Sequence, residues 1–209
     1  MEVSLQIAKY LLEIQAVKLS PDAPFTWSSG WKSPIYCDNR LVLSYPEIRT
    51  FLKNAFSELI AEKFPTAQTI AGVATAGIAH GALIADKMEL SYIYVRTSPK
   101  SHGMKNLIEG KVDTEKVHVV VEDLISTGGS SIKVIEALQE ANISVAGTVA
   151  IFNYGFPQAT AAFAEKNSPF YSLCSLADLL QVATEMNYID ATAWETIQNW
   201  QKNPSEWGR

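Results

Sequence analysis

The sequence predicts an α/β fold in which helices flank a central parallel sheet, with a small N-terminal subdomain outside that alternation. Two observations carry this. From Thr69 onward short apolar runs alternate with amphipathic stretches, so each strand returns to the sheet through a helical crossover and the strands lie parallel. The runs TIAGV, VHVVV and VAGTVAIF are apolar throughout rather than at every second residue, which fits a sheet covered on both faces.

The elements follow in order. Leu5, Ala8, Leu11 and Leu12 recur at helical spacing and predict a first helix to about Val17, stopped by the SPDAP stretch at Ser20 to Pro24. The segment FTWSSGWKSPIYCDNR, Phe25 to Arg40, sets aromatic and β-branched residues around a Ser-Gly break and predicts a short irregular hairpin. Ser44 and Glu47 form a capping-box pattern with Pro46 in the first turn, and Ile48, Phe51, Leu52, Ala55, Phe56, Leu59 and Ile60 keep one face of the next helix apolar. Then come the TIAGV strand, a helix around Ile78 to Lys87, the SYIYV strand, a long polar loop, the VHVVV strand, a helix from about Ser130 to Glu140, and VAGTVAIF. A helix after Pro157, a strand near FYSLC and helices at Leu176 to Asn187 and Asp190 to Gln201 complete the chain. No repeat or linker interrupts it, so residues 1–209 read as one domain, with 1–45 supplying the N-terminal helix and the outlying subdomain.

Composition narrows the function. With 47% hydrophobic and 19% charged residues the chain is ordinarily globular, and a net charge of -5 leaves no basic surplus for a nucleic-acid backbone. Cys37 and Cys174 stand in no metal-ligand or disulfide-framework spacing. Polar residues punctuate MEVSLQIAKYLLEIQ, which is neither a signal peptide nor a membrane span, so a cytoplasmic protein with no membrane partner is expected.

The stretch VVVEDLISTGGSS, Val119 to Ser131, carries the chemistry. Val119 to Val121 anchor a strand, and Glu122 and Asp123 are expected to emerge at its end, where ligands bind in open parallel sheets. Gly128 and Gly129 let a ligand approach the backbone, while Ser126, Thr127, Ser130 and the free N–H groups of the helix start can donate to an anion. A P-loop would need Gly-Lys-Ser/Thr and a dinucleotide fingerprint would need spaced glycines; neither is present. Carboxylates accept from hydroxyls and help place a divalent cation, so acids beside a phosphate cradle suit a ribose 5-phosphate.

This stretch resembles the phosphoribosyl pyrophosphate (PRPP) signature of the type I phosphoribosyltransferases. The resemblance implies that fold and a PRPP site made of Glu122, Asp123, Leu124, Ile125, Ser126, Thr127, Gly128, Gly129 and Ser130. FTWSSGWKSPIYCDNR is similar to the N-terminal signature of the orotate phosphoribosyltransferases, matched at Phe25, Thr26, Ser29, Gly30, Lys32, Ser33, Pro34 and Tyr36. In that family it forms a hood over the base, which implies that Tyr36, Cys37 and Ser126 meet orotate. RTSPKSHGMKNLIEG, Arg96 to Gly110, places cations on a polar loop and resembles the family's catalytic lid, which reaches across a dimer. It implies PRPP contacts from Arg96, Lys100 and His102, with Lys100 and His102 catalytic; Lys105 is left without a role. Ala74 to Gly77, after TIAGV, matches the loop that meets pyrophosphate.

The resemblance therefore implies transfer of phosphoribose from PRPP to orotate, giving orotidine 5′-monophosphate in pyrimidine biosynthesis. It implies a homodimer and magnesium carried by PRPP, with no direct protein ligand and water-mediated contact to Glu122 or Asp123. The chain departs from some family members at Ser28, Ala76 and Thr97, where they have lysine, and at Tyr154, where they have arginine. Two alternatives stand beside this reading. One is a purine or uracil phosphoribosyltransferase, which would lack the hood; the other is a PRPP-sensing regulator, which would need a basic face.

Overall fold

The computed structural model describes residues 2–27, 29–98 and 107–208. Helix α1 (Val3–Glu13) buries Ile7, Ala8, Leu11 and Leu12, each larger apolar side chain contributing about 1.5–3 kcal/mol. It ends earlier than its periodicity suggested. Gln15 takes a positive φ of 56°, which turns the chain, and Val17 starts strand β1 (Val17–Leu19) instead of closing the helix.

The irregular hairpin resolves into two small antiparallel pairs. Strand β2 (Phe25–Thr26) pairs with β3 (Lys32–Ser33), and β1 pairs with β4 (Ile35–Cys37) in the register Lys18↔Tyr36. A 3-10 turn over Asn39–Ser44 leads to α2 (Pro46–Lys63). The capping box expected from Ser44 and Glu47 does not form. Tyr45 is the N-cap with no side-chain cap bond, because the 3-10 turn takes up Ser44 and Pro46 begins the helix.

The crossovers then follow: β5 (Thr69–Val73), α3 (Ala76–Met88), β6 (Ser91–Val95), β7 (Ile108–Glu109), β8 (Val117–Ile125), α4 (Gly129–Glu140), β9 (Ser144–Asn153), α5 (Pro157–Glu165), β10 (Phe170–Ser175), α6 (Leu176–Glu185) and α7 (Ala191–Lys202). Among the described residues they make a six-stranded sheet in the order β10-β9-β8-β5-β6-β7, parallel except for β7. Both faces are covered, as the unbroken apolar runs required. Val119, Val121, Val149 and Ile151 face the core shared with α1, α2, α6 and α7, while Val120 and Ala150 face α4 and α5.

From β5 the chain first builds outward through β6, then returns to add β8, β9 and β10 on the other side. The strand order therefore reverses between β5 and β8, and the crevice beyond the carboxyl ends of these two strands is where an open parallel sheet receives a ligand.

Candidate active site

Strand β8 outruns its neighbour at this switch point. Its last partner on β5 is Val121, opposite Gly72, whereas on the β9 side pairing continues through Glu122↔Ala150 to Ile125↔Asn153. Glu122 and Asp123 are thus part of the strand, not beyond its end, and this corrects the sequence expectation. The β9 ladder holds them inside, leaving Glu122 only 5% exposed.

The first turn of α3 fills the other flank. A Cβ at Gly77 would run into the Val121 carbonyl oxygen, so only glycine lets α3 start this close to the acidic pair. The Ala74–Thr75 peptide in the preceding loop is cis. Ala74, Thr75 and Ile78 line a cavity of about 240 Å³ together with Tyr94, Arg96, Thr97 and Ser98, which places the cation at Arg96 opposite the small-residue loop. Its Nε is buried with no hydrogen-bond partner among the described residues.

Burial sets the electrostatics. Glu122 accepts from the Asp123 N–H at 3.1 Å and from Ser131 Oγ at 3.4 Å. Desolvation, then the neighbouring Asp123 charge, still pushes its pKa well above the ordinary carboxylate value; burial raises Asp123 as well. Two raised carboxyls side by side favour a ligand that presents hydroxyls or a cation, because such a ligand stabilises their charged form and the protons leave to solvent. Asp123 is tied to the hood through its backbone, because Asn39 Nδ2 donates to the Asp123 carbonyl at 2.8 Å.

The cradle follows directly. Gly128 sits at φ 83° as the N-cap of α4, where a Cβ would be strained and would stand 3.0 Å from the Phe163 ring. Gly129 and Ser130 are exposed at the helix start, where the first-turn N–H groups have no intrahelical partner, and Thr127 and Ser130 add hydroxyls on either side of the two glycines. Ile125, in contrast, is buried in the core under α4, which leaves only its backbone for any ligand.

Beside the cradle lies a cavity of about 430 Å³ lined by Thr26, Trp27, Ser29, Tyr36, Cys37, Leu124, Ser126 and Tyr154. It brings together the three residues expected at the base, and Ser126 joins it to the cradle one residue away. The sequence assigned no site role to Tyr154, Asn39 or Trp200. Tyr154 is 1% exposed and packs against Trp27 (5.2 Å), Phe152 (5.2 Å), Phe156 (5.3 Å, stacked) and Trp200 (5.5 Å). Burial raises its hydroxyl pKa well above the phenol value, so it stays a neutral donor. Burial, then Asp123, likewise raises the Cys37 thiol, which lies 3.3 Å from Asn39 Oδ1. Lys100 and His102, the expected catalytic pair, lie outside the described residues, as does Ser28.

Among the described residues no group of three His, Cys, Asp or Glu side chains could hold a metal ion. Glu122 and Asp123 alone suit a cation that brings most of its ligands with it.

An acidic pair at a switch point, running into a glycine- and hydroxyl-rich anion cradle, defines a phosphoribosyltransferase domain. The family model described as the phosphoribosyl transferase domain matches residues 43–161, which take in β5 to β9 and the start of α5 but leave out β1 to β4 of the hood, β10, α6 and α7. An orotate phosphoribosyltransferase of Bacillus pumilus is 54% identical over 200 residues, covering 96% of this chain and 94% of its own. One from Cytophaga hutchinsonii is 49% identical over 207 residues, covering 99% of each. The crystal structure of orotate phosphoribosyltransferase from Aeropyrum pernix superposes with a TM-score of 0.72 at 25% identity, over 87% of this chain and 99% of that one. The chain belongs to the orotate phosphoribosyltransferase family.

Proposed function

We propose that this chain transfers the 5-phosphoribosyl group of PRPP to orotate, giving orotidine 5′-monophosphate and pyrophosphate in pyrimidine biosynthesis. The observation that carries the reading is the adjacency of cradle and hood cavity: Ser126 lines the cavity, and Thr127 opens the cradle. A planar base held by Tyr36, Cys37 and Ser126 would meet a sugar whose phosphate rests on Thr127 to Ser130. Glu122 and Asp123 would accept from the ribose hydroxyls, with the Leu124 and Ile125 backbone leading from them to the cradle.

Departure of pyrophosphate leaves positive charge on the sugar and adds negative charge to the leaving group, so stabilisation is electrostatic. The carboxylates lie on the sugar side. Arg96, across its cavity from Ala74 and Thr75, would face the leaving group, and Lys100 and His102 on the lid would join it. Magnesium arriving on PRPP would offset leaving-group charge, with Glu122 or Asp123 reaching it through water. A lid shared between the subunits of a homodimer would exclude the water that hydrolyses PRPP.

A cytoplasmic location goes with this reading. The two cysteines are free thiols, and no helix among the described residues is long and apolar enough to cross a membrane. Neither nucleic acid nor membrane is proposed as a partner. The test is a coupled pyrophosphate-release assay with orotate, uracil, hypoxanthine and adenine. Turnover of orotate alone is expected; turnover of a purine without orotate overturns the assignment.

A further inference from the structure

Among the described residues, the lining of the cavity assigned to the base contains no cation. Its surroundings are acidic: Asp123 lies in the adjoining strand, and Asp38 follows Cys37 directly. Arg40, the guanidinium nearest in the chain, is taken up by Asp38 through Nε at 2.6 Å and Nη2 at 2.9 Å. A base carrying a carboxylate cannot settle here without a positive partner, because an unpaired anion near buried acids is strongly disfavoured.

Lys32 supplies one. In the β2–β3 register Thr26 stands directly opposite Lys32, so the two side chains share a face, and Lys32 Nζ donates to Thr26 Oγ1 at 2.8 Å. Thr26 lines the cavity. A hydroxyl that accepts from an ammonium keeps its own proton free to donate, and the ammonium keeps two more donors. The pair therefore offers a carboxylate two charge-assisted hydrogen bonds. Lys32 is also held from behind: Trp200 Nε1 donates to its carbonyl at 3.2 Å, and a Cβ at Gly208 would stand 3.2 Å from the Lys32 Cβ. Neither lysine lines the cavity itself, but Lys32 is bonded to the lining residue Thr26, whereas Lys18, paired with Tyr36 through the strand register, has no such bond to a lining side chain among the described residues.

We propose that Lys32, presented by Thr26, is the counter-charge for the carboxylate of the base and the residue that selects a carboxylated pyrimidine. This rests on the reading of the cavity as an orotate site. The experiment is steady-state kinetics on the full chain with orotate and PRPP varied separately, for wild type, Lys32→Met, Lys32→Arg, Thr26→Val and Lys18→Met. Methionine keeps the stem that packs near Gly208 and removes the charge. Lys32→Met should raise the orotate KM by about 10- to 100-fold, the range for a hydrogen bond to a charged group, with little change in the PRPP KM. Lys32→Arg should restore most of the loss, Thr26→Val should show a smaller rise, and Lys18→Met should match wild type. An orotate KM unchanged in Lys32→Met, or raised equally by Lys18→Met, overturns the proposal while leaving the orotate assignment intact. A wild type that does not turn over orotate overturns the assignment itself.

Discussion

Asn39 Nδ2 reaches across 84 residues of chain to donate to the backbone carbonyl of Asp123 at 2.8 Å. The amide is fully buried, and its oxygen faces the Cys37 thiol at 3.3 Å, so one side chain joins the hood to the strand bearing the acidic pair. Replacing it with leucine leaves the Asp123 carbonyl unpaired in a buried setting. Asn39→Leu should cost about 1–3 kcal/mol by urea denaturation. It should also raise the KM for both substrates, since cavity and acidic strand would lose their common fixing point. A variant with lowered stability and unchanged KM values would confine Asn39 to a structural role.

Glu122 should show an opposition between stability and activity. Its pKa is raised in the folded protein above the ordinary value of 4.5, so the folded state holds the proton longer than the unfolded chain does. Stability therefore falls as pH rises from about 4.5 through the raised value, by about 1.4 kcal/mol for each pH step of one across that window. Glu122→Gln removes this loss. It should melt higher than wild type at pH 8 and converge with it near pH 4, while kcat/KM for PRPP drops by about 10- to 100-fold, as expected when a charged acceptor is lost. Equal melting temperatures at pH 8 would show that the carboxyl is not strained by burial.

The same raised carboxyls predict proton release on binding. Ribose hydroxyls and a substrate-borne cation favour the charged carboxylates, so PRPP with magnesium should drive protons off Glu122 and Asp123. Calorimetric titrations at pH 6 in MES and in Bis-Tris, two buffers of different ionisation enthalpy, should differ in apparent enthalpy by an amount that shrinks in Glu122→Gln. Identical enthalpies in the two buffers for wild type would place the ribose elsewhere.

How much of this was legible in the sequence depends on how local each feature is. The strands and helices after Thr69 follow from period and apolarity, and VVVEDLISTGGSS is contiguous, so its cradle could be read from the chain alone. The burial of Glu122 could not. It depends on β9 continuing to pair as far as Asn153, which no property of β8 dictates. The roles of Asn39, Tyr154 and Trp200 were hidden for the same reason, because each acts through a partner far away in the chain; the Trp200 bond to Lys32 spans 168 residues. The misplaced end of α1 turned on one residue, Gln15, whose positive φ overrides a helical pattern.

His80 should give a pH dependence of the opposite sign to Glu122. It lies buried in α3 with no partner for Nε2 among the described residues, and desolvation lowers its pKa from 6.5 to about 4. The unfolded chain then binds this proton first, so stability is lost as pH falls from about 6.5 to about 4, by up to ~3 kcal/mol. His80→Leu should remove that acid loss in urea denaturation between pH 7.5 and pH 5, leaving the opposing fall with rising pH due to Glu122 to show by itself. A wild-type slope retained in His80→Leu would assign the acid loss to another group.

Trp200 is expected to govern the base cavity without lining it. It is fully buried in α7, with Trp27 (5.7 Å), Tyr154 (5.5 Å) and Phe156 (5.2 Å) around its ring, and its N–H holds the Lys32 carbonyl. Gln201 beside it donates to the Tyr154 carbonyl at 2.6 Å, so α7 positions both aromatic walls, Trp27 and Tyr154. Trp200→Ala should destabilise the fold by about 3–5 kcal/mol, enough to obscure any kinetic effect. Trp200→Phe retains an aromatic ring and removes the N–H, so it should fold, with a stability loss of about 1–3 kcal/mol from the unpaired carbonyl. Its orotate KM should rise several-fold while its PRPP KM stays near wild type, because the cradle is built from β8 and α4 rather than from α7. A proportional rise in both constants, or none in either, would mean that α7 supports the sheet as a whole and does not position the base cavity.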